Sequence, residues 1–313
     1  MNKKLLLAAF IGASFSLSGC GSSSNDGNNS STDSEQPAPS NPSLPTTPVT
    51  PSDPTSDKEK IEAQEIAAFF LHAITAETLN NGLIDRLFYL QEYMLDDEAD
   101  NLDCYKKTVI SGSTFTLTKE CTVPYDAGSS FKGLSGSFSE SGDPESSTGL
   151  NTKLSNLKID VDDAVFTVNG TLNIKDSANT ETHSTNDLVI SSEATGNKFY
   201  FKNFILKNTE TSSAFINKAS GELTVTDKDG QILYAVSFDQ DSDWSTLAGN
   251  TYPTLGKLKI QFKNDSTRYL TLTALTNKDN ATYYAQAGTV TLEDNVTKAW
   301  KDIIISPAKY KLP

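Results

Sequence analysis

Few residues in this chain could do chemistry, and their spacing limits what that chemistry could be. There are 3 cysteines (Cys20, Cys104 and Cys121) and 2 histidines (His72 and His183) in 313 residues. No Cys-x-x-Cys pair is present, which weighs against redox turnover, and two distant histidines without paired cysteines weigh against a zinc site. His183 lies in Asn179-Thr-Glu-Thr-His-Ser-Thr-Asn186, read as a polar loop or strand end. A serine nucleophile with His183 as base would do acyl transfer, but no Gly-x-Ser-x-Gly elbow is there to position the serine. His72 follows Leu71 inside a helical pattern and reads as a packing or surface residue. Asp239-Gln-Asp241-Ser-Asp243 alternates acids as a calcium loop does, which makes Asp239, Asp241 and Asp243 the metal candidates. Trp244 and Asn250 then stand where such a loop needs a turn-forming Gly and a bidentate Glu, so a solvated acidic loop is the preferred reading. Tyr283-Tyr284, Phe199-Tyr-Phe201 and Trp300 read as core and cross-strand pairs, with an exposed glycan- or protein-binding surface as the alternative. No catalytic residue, metal or cofactor is assigned.

The elements that would position these groups follow from composition and periodicity. The chain carries 40 acidic against 26 basic side chains, a formal charge of −14, and 36% hydrophobic residues. Such acidity opposes nucleic-acid binding, which depends on cations that neutralise phosphates. No apolar run reaches the roughly 18 residues of a membrane-spanning helix.

At the amino terminus, Lys3 and Lys4 precede an apolar stretch from Leu5 to Leu17, a signal-peptide core too short to span. It runs into Leu17-Ser18-Gly19-Cys20, which resembles the lipobox of bacterial lipoproteins. The resemblance implies cleavage before Cys20, a diacylglyceryl thioether on its sulfur and acylation of the freed amine. Gly21, where an Asp would signal retention, implies an outer-membrane destination. Several acyl chains exceed the two signals that stable anchoring needs, each buried methylene adding about 0.8 kcal/mol. With Cys20 committed to lipid, Cys104 and Cys121 remain as an even pair in an oxidising envelope compartment, where a structural disulfide is expected. Closing 16 intervening residues would stabilise the fold by about 3 kcal/mol on the chain-entropy model.

Residues 21 to 56 are dominated by Ser, Pro, Thr and Asn, with Leu44 and Val49 the only large apolar side chains. Such a segment cannot offset the entropy of ordering, and its closely spaced prolines favour an extended, semi-rigid stalk. Ile61, Ile66, Phe69, Phe70, Ala73, Ile74 and Leu79 then recur at helical spacing, and Asn80-Asn81-Gly82 supplies a stop. Leu83 to Leu95 repeat the period. Beyond Thr108 the period becomes two, as in Leu157-Lys-Ile159-Asp-Val161 and Leu258-Lys-Ile260-Gln-Phe262, which predicts antiparallel strands with one buried and one wet face. A phrase of glycine, polar, apolar returns at Gly136, Gly170, Gly221, Gly256 and Gly288. Glycine there would permit a bulge or a sharp coil of the sheet.

Cys104 and Cys121, Asn169-Gly170-Thr171, Pro253 to Gly256, Leu272-Thr-Ala-Leu275 and Trp300-Lys-Asp302 follow the stalk in an order that resembles uncharacterised proteobacterial lipoproteins. The resemblance implies a fold and no activity. The expected organisation is a signal peptide (1–19), a lipidated cysteine with a disordered stalk (20–56), a helical segment packed on the sheet (57–100) and an antiparallel β-domain (101–313). The fold expected is mainly β: a curved antiparallel meander, as a long bent sheet, partial barrel or sandwich, preceded by two short amphipathic helices. Three roles remain open at this point. They are an anchored structural or interaction protein with an envelope protein or glycan partner, a carrier of lipid in a curved-sheet cavity, and an envelope polysaccharide or peptidoglycan hydrolase.

Overall fold

The computed structural model describes residues 53–95, 103–109, 113–126 and 129–309. The signal segment, Cys20 and the stalk through residue 52 lie outside the described residues.

Helix α1 (Asp57–Thr78) starts where the sequence supplies a reciprocal cap: Ser56 Oγ accepts from the Glu59 backbone N–H, and the Glu59 carboxylate accepts from the Ser56 N–H at 2.8 Å. It stops before Asn80, whose φ of 54° leaves the helical region. Helix α2 (Leu83–Leu95) follows at once. Both helices bury the apolar positions picked out by the period, among them Phe69, Phe70, Ile74, Ile84, Leu87 and Phe88.

Fifteen strands form one antiparallel sheet. They are β1 (Tyr105–Val109), β2 (Ser113–Leu117), β3 (Cys121–Asp126), β4 (Ser129–Asp143), β5 (Gly149–Val161), β6 (Ala164–Ser177), β7 (Thr180–Thr185) and β8 (Leu188–Ser192). There follow β9 (Lys198–Glu210), β10 (Ala214–Thr226), β11 (Ile232–Leu247), β12 (Leu255–Phe262), β13 (Tyr269–Ala274), β14 (Asn280–Ala287) and β15 (Val290–Ala299). The order is a meander from β1 to β15 with two local departures: β2 and β3 share β4 as a partner, and β7 and β8 together fill the place between β6 and β9. A short helix α3 (Trp300–Ile303) follows the last strand. The disulfide Cys104–Cys121 joins the residue preceding β1 to the first residue of β3, tying the opening strands together.

The long strands do not run straight. Register shifts fall on successive strands at β4–β5, β5–β6, β9–β10, β10–β11 and β11–β12, and the chain breaks between β7 and β8 in the same band. Two of the recurring glycines lie on this crease. Gly136 has φ 100° and Gly170 φ 134°, and a Cβ on either would stand 2.3 Å from the Asn156 carbonyl oxygen or 2.6 Å from that of Asp187. A side chain is excluded at both because the neighbouring backbone already occupies its place.

One face of the sheet, here the inner face, is covered by the helices. α1 packs on β10, β12, β13, β14, β15 and α3, and α2 packs on β3. A single apolar cluster runs from Ile66 of α1 through the strands to Ile303 of α3. Phe70, fully buried, meets the rings of Tyr234 and Phe262 edge-on. The alternating strands thus give up their apolar side to the helices and leave the polar side to water.

Candidate functional site

The region with the most chemical potential is a buried polar row on the inner face, around the corner where α1 passes into α2. Residues 180–185, read from sequence as a loop or strand end, are strand β7, and its two-residue period turns Glu181, His183 and Thr185 inward together. His183 Nε2 lies 3.2 Å from Glu181 Oε1. The His183 ring is stacked on Phe88 of α2 with centroids 4.1 Å apart, and the residue is only 4% exposed. Register places Glu181 opposite Asn208, and Asn208 opposite Asn217. Asn217 Nδ2 donates to Asn208 Oδ1 at 2.9 Å. Burial raises the affinity of the Glu181 carboxyl for a proton, but the hydrogen bond and charge of His183, with a further bond from Asn208, outweigh it and hold the pKa below the usual range. Next along the row, Asn217 faces Trp244 across β10 and β11, and the Trp244 indole N–H donates to Thr78 Oγ at 3.2 Å. Trp244 also meets Trp300 edge-on at 5.5 Å.

The helix corner is closed by Glu77. Its carboxyl accepts the backbone N–H groups of Leu83 at 2.8 Å and Ile84 at 3.1 Å, satisfying donors that the first turn of α2 would leave unpaired. Burial pushes the Glu77 pKa up to about 8, against those two hydrogen bonds, with Asp85 adding to the rise and Arg86 opposing it. Gly82 lies against it, and a Cβ there would stand 2.2 Å from the carboxyl carbon, so any larger residue would have to move the Glu77 carboxylate.

A histidine oriented by a carboxylate is the base half of a nucleophilic site. Here the ring is sealed under Phe88, and Ser184, its neighbour in the strand, faces the opposite side of the sheet. The arrangement fastens α2 to β7; a substrate would have to displace the helix to reach Nε2. A hollow lined by Ala63, Ile66, Phe262, Tyr269, Ala287 and Leu292, among others, amounts to about 10 Å³, room for about one water molecule.

The other candidates are placed as follows. His72 is half-buried, and its Nδ1 lies 2.7 Å from the Ile303 carbonyl oxygen, linking α1 to α3. Burial lowers its pKa, with the carbonyl bond opposing and Lys298 assisting. Asp239, Asp241 and Asp243 are not in a loop: their alternation is that of strand β11. Lysines partner them, with Asp241 3.3 Å from Lys257, Asp243 3.5 Å from Lys218, and Asp239 opposite Lys259 in register. Among the described residues no group of three His, Cys, Asp or Glu side chains converges as a metal would require. Of the aromatic clusters, Tyr283 and Trp300 are fully buried, and Tyr200 and Phe201 nearly so. Phe199 packs on Phe69, and Tyr284 faces outward beside Tyr269. Sequence reasoning singled out His183, Trp244 and the disulfide pair but missed Glu77, Glu181, Asn208 and Asn217. The acid–x–His spacing of Glu181 and His183 was the signal that could have found the first pair.

Fold and site together define an antiparallel meander sheet whose inner face is occupied by its own amino-terminal helices through a buried polar row. No family model matches the chain, and neither does any curated protein or solved structure.

Proposed function

We propose that this protein is a bacterial envelope lipoprotein, attached to the outer membrane through Cys20, whose stalked β-domain has a structural or interaction role and not a catalytic one. The observation that carries the role is the covered inner face. α1 and α2 lie where a carrier would hold lipid or a hydrolase would open its cleft, and the His183–Glu181 pair is spent on holding them there. The Cys104–Cys121 disulfide supports an oxidising compartment, in keeping with the lipobox at Leu17-Ser18-Gly19-Cys20. Among the described residues no helix is long and apolar enough to cross a membrane, so in this reading the lipid carries the attachment.

Fractionation of cells making the full chain or its Cys20→Ala variant tests the anchor: the first is expected in the outer membrane and the second in the soluble fraction. Membrane retention of the variant would overturn the anchoring. Native mass spectrometry tests the role, since a stoichiometric co-purified lipid would replace it with the carrier reading.

A further inference from the structure

The chain enters the described domain at the turn between β14 and β15. There the Asp53 carboxylate occupies the place that a Cβ on Gly288 would take, and Pro54 is buried between its exposed neighbours Asp53 and Thr55. From Gly288 a line of hydrogen bonds leads onto the outer face. Gln286 Nε2 donates to the Gly288 carbonyl oxygen at 2.7 Å, and Tyr284 Oη donates to Gln286 Oε1 at 2.7 Å. Tyr284 lies beside Tyr269, with ring centroids 5.8 Å apart and planes inclined by 34°, and Lys259 Nζ stands 5.5 Å from the centre of the Tyr269 ring. Both tyrosines are half-buried. They form an aromatic patch whose rings are held in place from the same turn that Asp53 abuts. The sequence leading into Pro54 has a period that suits such a patch. Pro39, Pro42, Pro45, Pro48, Pro51 and Pro54 recur at every third residue. A polyproline II helix has three residues per turn, so this spacing puts all of them on one face. Pro54, the last of the stripe, is the one buried against the domain.

We propose that the chain's own segment from Pro45 to Pro51 occupies this patch, crossing the rim at Gly288 as a polyproline II helix and setting its proline face on the rings of Tyr269 and Tyr284. The lengths agree. At the rise of that helix, Pro51 and Pro48 stand about 9 and 19 Å from Pro54. Along β14, Gln286, which faces Tyr269 in register, and Tyr284 stand about 7 and 14 Å from Gly288. Proline-rich segments dock on aromatic-lined surfaces because the extended helix is preformed and gives up little entropy on binding. A tether of a few residues holds the segment at an effective concentration on the order of millimolar, so a weak patch is filled and a partner in trans would have to displace it. Docking there fixes the direction in which the stalk leaves the domain. The inference goes beyond the interaction role proposed above and does not depend on the anchor.

Hydroxyl-radical footprinting of the purified Cys20→Ala chain, read residue by residue by mass spectrometry, tests the contact. Cys20→Ala keeps the whole stalk and needs no lipid, so the result stands apart from the fate of the anchoring reading. Adding Pro45→Ser, Pro48→Ser and Pro51→Ser should raise the oxidation rate of Tyr269 and Tyr284 about twofold or more, as the tethered segment is released. Leu247, 45% exposed at the end of β11 and outside the patch, should react at the same rate in both chains. The three substitutions precede the described domain, and the unchanged Leu247 rate checks that its fold is kept. Tyrosines that react equally with and without the prolines would overturn the proposal, as would a rise shared by Leu247.

Discussion

The two faces of the sheet are built by the same alternating strands and are used in opposite ways. On the inner face, titratable groups are buried and bound to one another: Glu77 to the first turn of α2, Glu181 to His183, His183 to Phe88. On the outer face, lysines and acids are exposed and their pairs are surface pairs, such as Lys257 with Asp241 and Lys263 with Glu222. Buried polar groups are costly unless every partner is in place, so the inner face specifies one arrangement of helices on the sheet. Exposed ion pairs stabilise by little, so the outer face can vary its charge without endangering the fold. Chemistry-bearing residues on the inner face are therefore held within the packing, and those on the outer face stand in solvent.

This contrast can be broken or sharpened by substitution. The largest effect is expected at Trp244, which is fully buried between Trp300 and Thr78. Trp244→Ala should cost about 3–5 kcal/mol in chemical denaturation, and a loss below about 1 kcal/mol would mean that the inner end is not packed as described. A smaller, pH-dependent effect comes from Glu77. Its folded-state pKa of about 8 lies above the ordinary carboxyl value of 4.5, so between these values the folded state binds the extra proton. Stability is then full below about pH 4.5 and falls as pH rises toward 8, by up to about 1.4 kcal/mol per pH unit. Denaturation midpoints across that range should lose this slope in Glu77→Gln, and an unchanged slope would remove Glu77 as its source. The smallest effect belongs to the outer face: Lys207→Ala should change stability by no more than about 0.5 kcal/mol, with any gain attributed to relief of its opposition to Lys218, directly across from it in β10.

Much of the fold was legible in the sequence because periodicity reports burial directly. The Asn80-Asn81-Gly82 stop, the two helices and the antiparallel strands follow from local spacing, and the Cys104–Cys121 bond from the pairing of the two cysteines left once Cys20 is set aside. The recurring glycines at Gly136 and Gly170 marked the crease, since each sits where a neighbouring carbonyl leaves no room for a Cβ. The acidic run was misplaced. Its alternation fits a calcium loop and an exposed strand equally, and only the lysines of β10 and β12, distant in sequence, decide for the strand.

What the sequence alone determined, then, is the class of each element and the cysteines available for a bond. All are written in neighbouring residues or in simple counts. Tertiary structure decided which groups meet: that Glu77 closes the helix corner, that His183 lies under Phe88 rather than in an open site, and that Tyr284 stands beside Tyr269 on the outer face. These depend on register between strands and on which helix covers which face. Both are set by bulges and by packing across the whole sheet, and no window of adjacent residues encodes them.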